Sequence, residues 1–288
     1  MTSASTIRAA GPADVPAIRA LLAAHGNDAT VDTIGTVDIV GPYLRHCLEH
    51  AKAAVTERDG QVVAYGAAIE TGRGRHLADL FVRPDLLGQG LGRSLLEAVM
   101  KGATARTTFA SDDPRALPIY ARAGMTPLWL NLYVEGEAPG LPAGRAPTVE
   151  PAAPDDLAAL EFAWTGACRP ADHRYWAALP EADEFVVRSA GGNPIALGYA
   201  RARQVSSVRW IDRLVVRPDA DPVSPILAAL GYADRGRGGT VGACLPGPNP
   251  ALVPLLEARF RITDRDVYMA SSPDLVDSAR LLPDGGML

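Results

Sequence analysis

Between Val82 and Val99 the chain reads VRPDLLGQGLGRSLLEAV. A strand stops at Pro84, glycines recur at alternate positions 88, 90 and 92, and an amphipathic helix begins. The first turn of a helix leaves about four backbone N–H groups unpaired, and the helix dipole adds roughly half a positive charge there. Glycine removes the side chains that would hold an anion away from that backbone. The chemistry within reach of such a stretch is the binding of a phosphate or pyrophosphate. Leu87, Gly88, Gln89, Gly90, Leu91 and Gly92 form the cradle, and Arg93 in the first turn can pair with a phosphate oxygen. Two other nucleotide motifs are excluded: Arg93 stands where GxxxxGK[ST] needs lysine, and the spacing is not GxGxxG.

The elements that must position this loop follow from periodicity and turn residues. A short strand covers Thr6 to Arg8, and Asp14 caps a helix running through His25. A second helix spans about Pro42 to Ala51. Ala53 to Glu57, the turn Asp59-Gly60 and Gln61 to Ala68 read as a hairpin. Arg75 to Val82 is a long strand, Leu91 to Met100 a helix, and Thr107 to Ala110 a strand. Pro114 to Ala123 is a helix with Gly124 as its C-cap, and Thr126 to Val134 a closing strand. The order implies an α/β fold, a mixed sheet with helices on both faces.

The pattern then repeats. Thr6-Ile7 aligns with Thr148-Val149, Arg83-Pro84-Asp85 with Arg217-Pro218-Asp219, and Asp113-Pro114 with Asn249-Pro250, in order. Two tandem copies are therefore expected. The stretch from Gly136 to Pro154, GEAPGLPAGRAPTVEPAAP, is too rich in proline and glycine for a helix or central strand and reads as the connection. The expected domains are 1–137, a linker at 138–147, and 148–288.

Composition narrows the class. Hydrophobic residues make up 48% and charged residues 21% of the 288, with a net charge of −5. These values suit a folded protein, exclude global disorder and offer no basic face for nucleic acid. Arg73 with Arg75, and Arg235 with Arg237, read as solvated turn residues. Cys47, Cys168 and Cys244 show neither CxxC spacing nor a disulfide framework, so a cytoplasmic location is expected. No signal peptide or membrane span is read. His46 and His50 share a helix face, but Cys47 and Glu49 do not complete HExxH, so no metal is read.

Leu87 to Gly92 resembles motif A of the GCN5-related N-acetyltransferases, whose loop commonly reads R/Q-x-x-G-x-G/A after a strand ending V-x-P; Leu87 replaces the usual Arg or Gln. Asp113 to Met125, DPRALPIYARAGM, resembles that family's N-x-x-A-x-x-x-Y-x-x-x-G-F block, with Asp113 for Asn and Met125 for Phe. The resemblance covers Thr6 to about Gly136. It implies a first copy that binds acetyl-CoA and transfers its acetyl group to a primary amine by direct attack in a ternary complex. The amine would belong to a small molecule or a peptide. By resemblance Phe81, Val82 and the residues before them offer backbone groups to the pantetheine arm, and Asp113 belongs to the cofactor side. An amine of pKa about 10.4 must lose a proton, and a leaving thiolate whose thiol has pKa about 8.5 must gain one. The resemblance gives the acid role to Tyr120; the base is Asp79 or, as the other candidate, His76.

The second copy is expected to be degenerate. Its loop, Ala220 to Pro225, has no glycine and two prolines, Asp221 adds negative charge, and Leu256 aligns with Tyr120. Such a copy would shape the acceptor pocket or replace a dimer partner. Trp164, Tyr175 and Trp176 are expected in its core or at an interface. Monomer and homodimer both remain open. The competing reading is a non-catalytic acyl-CoA sensor or scaffold.

Overall fold

A computed structural model of the chain describes residues 5–25, 40–111, 113–141, 147–202 and 208–288. Residues 142–146, in the expected linker, lie outside the described residues. The chain forms two compact units. Unit 1 comprises Met1–Pro127 with Met269–Ser272 and Met287, and unit 2 comprises Leu128–Tyr268 with Pro273–Gly286 and Leu288.

Unit 1 contains β1 (Ser5–Ala9), α1 (Val15–Ala24), α2 (Val40–His50), β2 (Ala51–Arg58), β3 (Gln61–Glu70), β4 (Arg75–Val82), α3 (Leu91–Val99), β5 (Arg106–Ala110) and α4 (Ala116–Arg122). Its strands lie in the order β1-β2-β3-β4-β5. All neighbours are antiparallel except β4 and β5. Asp59 and Gly60 have φ of 52° and 72°, the pair of positive values that a two-residue hairpin turn requires. Asp14 is the residue before α1, but its carboxylate does not cap the helix. It accepts from Arg8 at 2.7 and 2.8 Å and from the Gly11 N–H at 2.9 Å, tying β1 to the helix entry. Arg75, expected on a solvated turn, is instead a β4 residue whose guanidinium donates to the Val99 and Lys101 carbonyls at 3.0 and 3.1 Å. Within unit 1, Ser271 N–H donates to Arg106 O at 2.9 Å.

Unit 2 contains most of β6 (Thr126–Glu137), then β7 (Thr148–Pro151), α5 (Pro154–Thr165), α6 (Pro170–Ala177), β8 (Asp183–Arg188), β9 (Pro194–Ala202) and β10 (Arg209–Val216). These are followed by α7 (Ser224–Ala233), β11 (Thr240–Pro246), α8 (Leu252–Glu257), β12 (Arg261–Ala270) and β13 (Leu281–Leu282). Its strand order is β12-β6-β11-β10-β9-β8-β7, with β13 on β10. The core is built from Phe185, Val187, Leu214, Ile226, Leu230 and Leu245. The stretch expected to be irregular is strand at both ends. Gly136 and Glu137 pair with Val241 and Thr240, and Thr148–Pro151 is β7. Glycine at 136 serves a close approach there, because a Cβ would overlap the Phe260 ring.

Candidate active site

The glycine loop takes the form its residues call for. Gly88 and Gly90 have φ of 79° and 84°, a region that favours glycine, and an added Cβ at either would point into open space. Gly90 is the residue before α3, and the first helical bond runs from Ser94 N–H to Gly90 O at 3.1 Å. The N–H groups of Leu91, Gly92 and Arg93 therefore precede the first helical donor. At Gly92 a Cβ would come into van der Waals contact with Val82 Cγ2 at 3.4 Å. Leu95, Leu96 and Val99 bury the other face of α3, which fixes the helix to the sheet. Arg93 pairs with Glu97 at 2.9 Å and Gln89 accepts from Arg58 at 2.9 Å, so both side chains have surface partners of their own.

β4 carries the two candidate bases, Asp79 and His76, and a bulge decides which face they share. Ala68 pairs with Leu77 but Ala67 pairs with Asp79, leaving Ala78 as the extra residue. Residues paired across a ladder lie on the same face of the sheet. Ile69, Ala67 and Tyr65 share one face, and so do their partners His76, Asp79 and Phe81. Plain alternation along β4 would have put His76 opposite Asp79. Gly66 belongs to the other face, where a Cβ would meet Leu95 of α3 at 3.2 Å.

Asp79 receives a hydrogen bond from the Tyr43 hydroxyl of α2 at 2.9 Å. Burial pushes its carboxyl up to about 6, with the Tyr43 bond acting in the opposite direction. Tyr43 and Tyr65 are themselves raised well above the ordinary phenol value by burial, with the Asp79 charge adding to it. Tyr120 of α4 is 8% exposed, and burial, followed by the charges of Asp113 and Asp79, raises its phenol to about 12. It is therefore neutral and able to donate at pH 7. His76 is buried, with Nδ1 3.0 Å from Thr107 Oγ1 and its ring against Phe109. It stands in the closed part of the β4–β5 ladder, opposite Thr107. That ladder runs only from Arg75 to Leu77 against Arg106 to Thr108, so Asp79 lies beyond the last pair.

The phase of the pleat assigns the main-chain groups. Arg83 N–H donates to Val63 O at 2.8 Å, so alternate residues Arg83 and Phe81 turn their polar groups toward β3. Val82 and Leu80 turn theirs toward the edge that β5 has left. Phe81, expected to offer backbone groups, instead places its ring 5.5 Å from that of His25. His25 Nε2 donates to Val82 O at 2.7 Å. Asp113 accepts from the Arg115 backbone and guanidinium at 2.8 to 3.1 Å, and these bonds hold its carboxyl below the usual range. Tyr43 and His25 were missed from sequence. Tyr43 and Cys47 have the same i, i+4 spacing that drew attention to His46 and His50, one helix face over.

Among the described residues no group of three or more His, Cys, Asp or Glu side chains could hold a metal, and the His46 and His50 rings lie 5.0 Å apart, tilted by 49°. No described helix is long and apolar enough to cross a membrane.

The sheet thus opens beside a glycine loop, with a half-buried carboxyl on β4 and a neutral phenol on α4. Residues 31–136 match the family model of the acetyltransferase (GNAT) domain. Solved structures extend the likeness to the tandem architecture. A candidate acetyltransferase from Pyrococcus horikoshii is 15% identical, covers 99% of this chain and 94% of its own, and has a TM-score of 0.69. A GCN5-related N-acetyltransferase from Sphaerobacter thermophilus is 18% identical, with coverage of 99% and 98% and a TM-score of 0.56. The tandem GNAT protein from the clavulanic acid biosynthesis pathway is 14% identical, with coverage of 95% and 100% and a TM-score of 0.60. At these identities the likeness is one of fold. No curated protein matches the sequence.

Proposed function

We propose that unit 1 is an acetyl-CoA-dependent N-acetyltransferase acting on a primary amine of a small molecule or peptide by direct attack in a ternary complex. The observation that carries this reading is a carboxyl raised to about 6 on β4, past the end of the β4–β5 ladder, with a phenol raised to about 12 on α4 that feels the Asp79 charge. At pH 7 a carboxyl at about 6 is mostly ionised and a phenol at about 12 keeps its proton, which suits one base and one acid. The loop fits a pyrophosphate, since Gly88 and Gly90 keep their backbone open and the N–H groups of Leu91 to Arg93 lead into α3. The edge of β4 past Leu77, at the Leu80 main chain and the Val82 N–H, fits an extended arm bearing amide groups, the Val82 carbonyl being taken by His25. Bound there, acetyl-CoA would supply the activated acetyl group.

The residues of the chain do the rest. Stripping a proton from an amine of pKa about 10.4 at pH 7 costs about 4.6 kcal/mol, and Asp79, ionised at that pH, accepts the proton. Tyr43 holds the carboxylate in place. Tyr120 keeps its proton for the departing sulfur. His76 stays with Thr107 in the closed ladder and is the less favoured base. The free cysteines suit a reducing, cytoplasmic setting.

The test is release of free thiol from acetyl-CoA by the full chain across a panel of primary amines, repeated with Tyr120→Phe. Amine-dependent release, lost in the variant, is the expected result. Wild-type kcat in Tyr120→Phe would remove its role as acid. Saturable acetyl-CoA binding with no release for any amine would favour a non-catalytic acyl-CoA sensor.

A further inference from the structure

Unit 2 repeats the frame of the unit 1 cleft, and the chain itself fills it. β10 bulges at Asp212, where Tyr199 pairs with Arg213 as Ala67 pairs with Asp79. Arg217 N–H donates to Ile195 O at 2.8 Å, matching Arg83 and Val63. Leu214 and Val216 thus correspond to Leu80 and Val82, and Arg213 corresponds to Asp79. The parallel ladder with β11 also ends early, at Ile211 and Ala243.

Along the edge that unit 1 leaves open, unit 2 carries β13. Leu281 and Leu282 pair antiparallel with Val215 and Leu214, and Val216 N–H donates to Arg280 O at 2.8 Å. Leu282 is fully buried in the unit 2 core. The segment enters beside the counterpart of the glycine loop, where Arg280 donates to Ala220 O at 3.4 Å. There Asp221 accepts from the Val223 and Ser224 N–H groups at 3.2 and 3.0 Å, an internal carboxylate on the amides that lead into α7. Farther along, Trp176 Nε1 and Gly286 N–H donate to the two Asp284 oxygens at 3.1 and 2.8 Å. The segment reaches the counterpart of Asp79, where Arg213 and Arg169 both donate to the main-chain oxygen of Leu288. Arg213 is anchored by Glu161 at 2.6 Å, and Glu161 is bonded to His173 at 2.8 Å. Burial would raise the Glu161 carboxyl, but Arg213 and His173 hold it well below its ordinary range. The acid is missing as well. The bonds Ala123 N–H to Ile119 O and Ala258 N–H to Pro254 O align the two helix ends, so Tyr120 matches buried Leu255, one residue from the Leu256 read from sequence.

We infer that unit 2 is a self-liganded copy of the fold: residues 277–288 occupy the path of an acyl-CoA arm, and the cleft accepts an extended peptide strand instead of acyl-CoA. The comparison of paths rests on the function proposed for unit 1. A peptide offers alternating N–H and C=O groups to the edge of β10, which is strand addition within one chain.

Amide hydrogen exchange on the full chain, with and without acetyl-CoA, tests this. The amides of Leu214, Val216 and Leu282 should exchange roughly 1,000-fold more slowly than in an unstructured peptide, without any ligand. Acetyl-CoA should slow exchange at Val82 and leave Val216 unchanged. Free-peptide exchange at Leu282 and Val216 would overturn the inference. So would acetyl-CoA protection of Val216 in a Gly90→Asp chain. If Val82 never responds to acetyl-CoA while Leu282 stays protected, the proposed function fails and the filled cleft stands.

Discussion

Asp79→Asn should stabilise the protein at neutral pH and do so in a pH-dependent way. The folded carboxyl has been raised from 3.8 to about 6 by burial. A carboxyl that is harder to ionise when folded contributes nothing unfavourable below the unfolded value. Between about pH 4 and 6 the unfolded chain gives up this proton first, and the ionised form is then carried into the fold at a cost. At about 1.4 kcal/mol per unit, the shift amounts to at most about 3 kcal/mol above pH 6. Asparagine keeps the shape and can still accept from Tyr43, but it never ionises. Its advantage over wild type should be near zero at pH 4 and grow to at most about 3 kcal/mol by pH 8, or about 6–12 °C in Tm for a domain this size. Thermal and urea unfolding of both proteins at each pH would measure it. The difference between the two at each pH isolates Asp79 from the other carboxylates. A difference that is constant from pH 4 to 8 would refute a buried carboxyl with a raised pKa.

Other consequences concern catalysis and packing. Tyr120→Phe should lower kcat by about 100-fold or more with KM little changed, the usual scale for a lost proton donor, as read by steady-state thiol release. Tyr43→Phe removes the bond that lowers the Asp79 carboxyl, so the acid limb of the kcat/KM profile should move to higher pH while the rate at high pH changes little. Gly90→Ala should cost about 1–2 kcal/mol in unfolding experiments because its φ is 84°, whereas Gly11→Ala, at −137° with open space, should be neutral. Gly136→Ala should cost about 1–3 kcal/mol, since the new methyl overlaps the Phe260 ring.

The glycine loop was legible because its demand is local: a positive φ at Gly88 and Gly90 and a helix start at Leu91 are written in adjacent residues. The hairpin at Asp59-Gly60 was legible for the same reason. The face shared by His76 and Asp79 was not, because the bulge falls on Ala78, a residue with no bulge signature. Tyr43 meets Asp79 only through the packing of α2 on the sheet. Proline and glycine density suggested that Gly136 lay outside any strand, yet the close approach of Phe260 is what makes glycine useful within β6. Leu281-Leu282 is too short to announce a strand, and its pairing exists only because β10 offers an open edge. Local chemistry could be read directly; pairing across long separations could not.

Calorimetric titration of acetyl-CoA into the full chain and into a Gly90→Asp variant tests the central claim most directly. The account predicts saturable binding at one site per chain, abolished when a carboxylate is placed at the start of α3. An intact chain that takes up no acetyl-CoA, or a variant that binds as tightly as wild type, would contradict it.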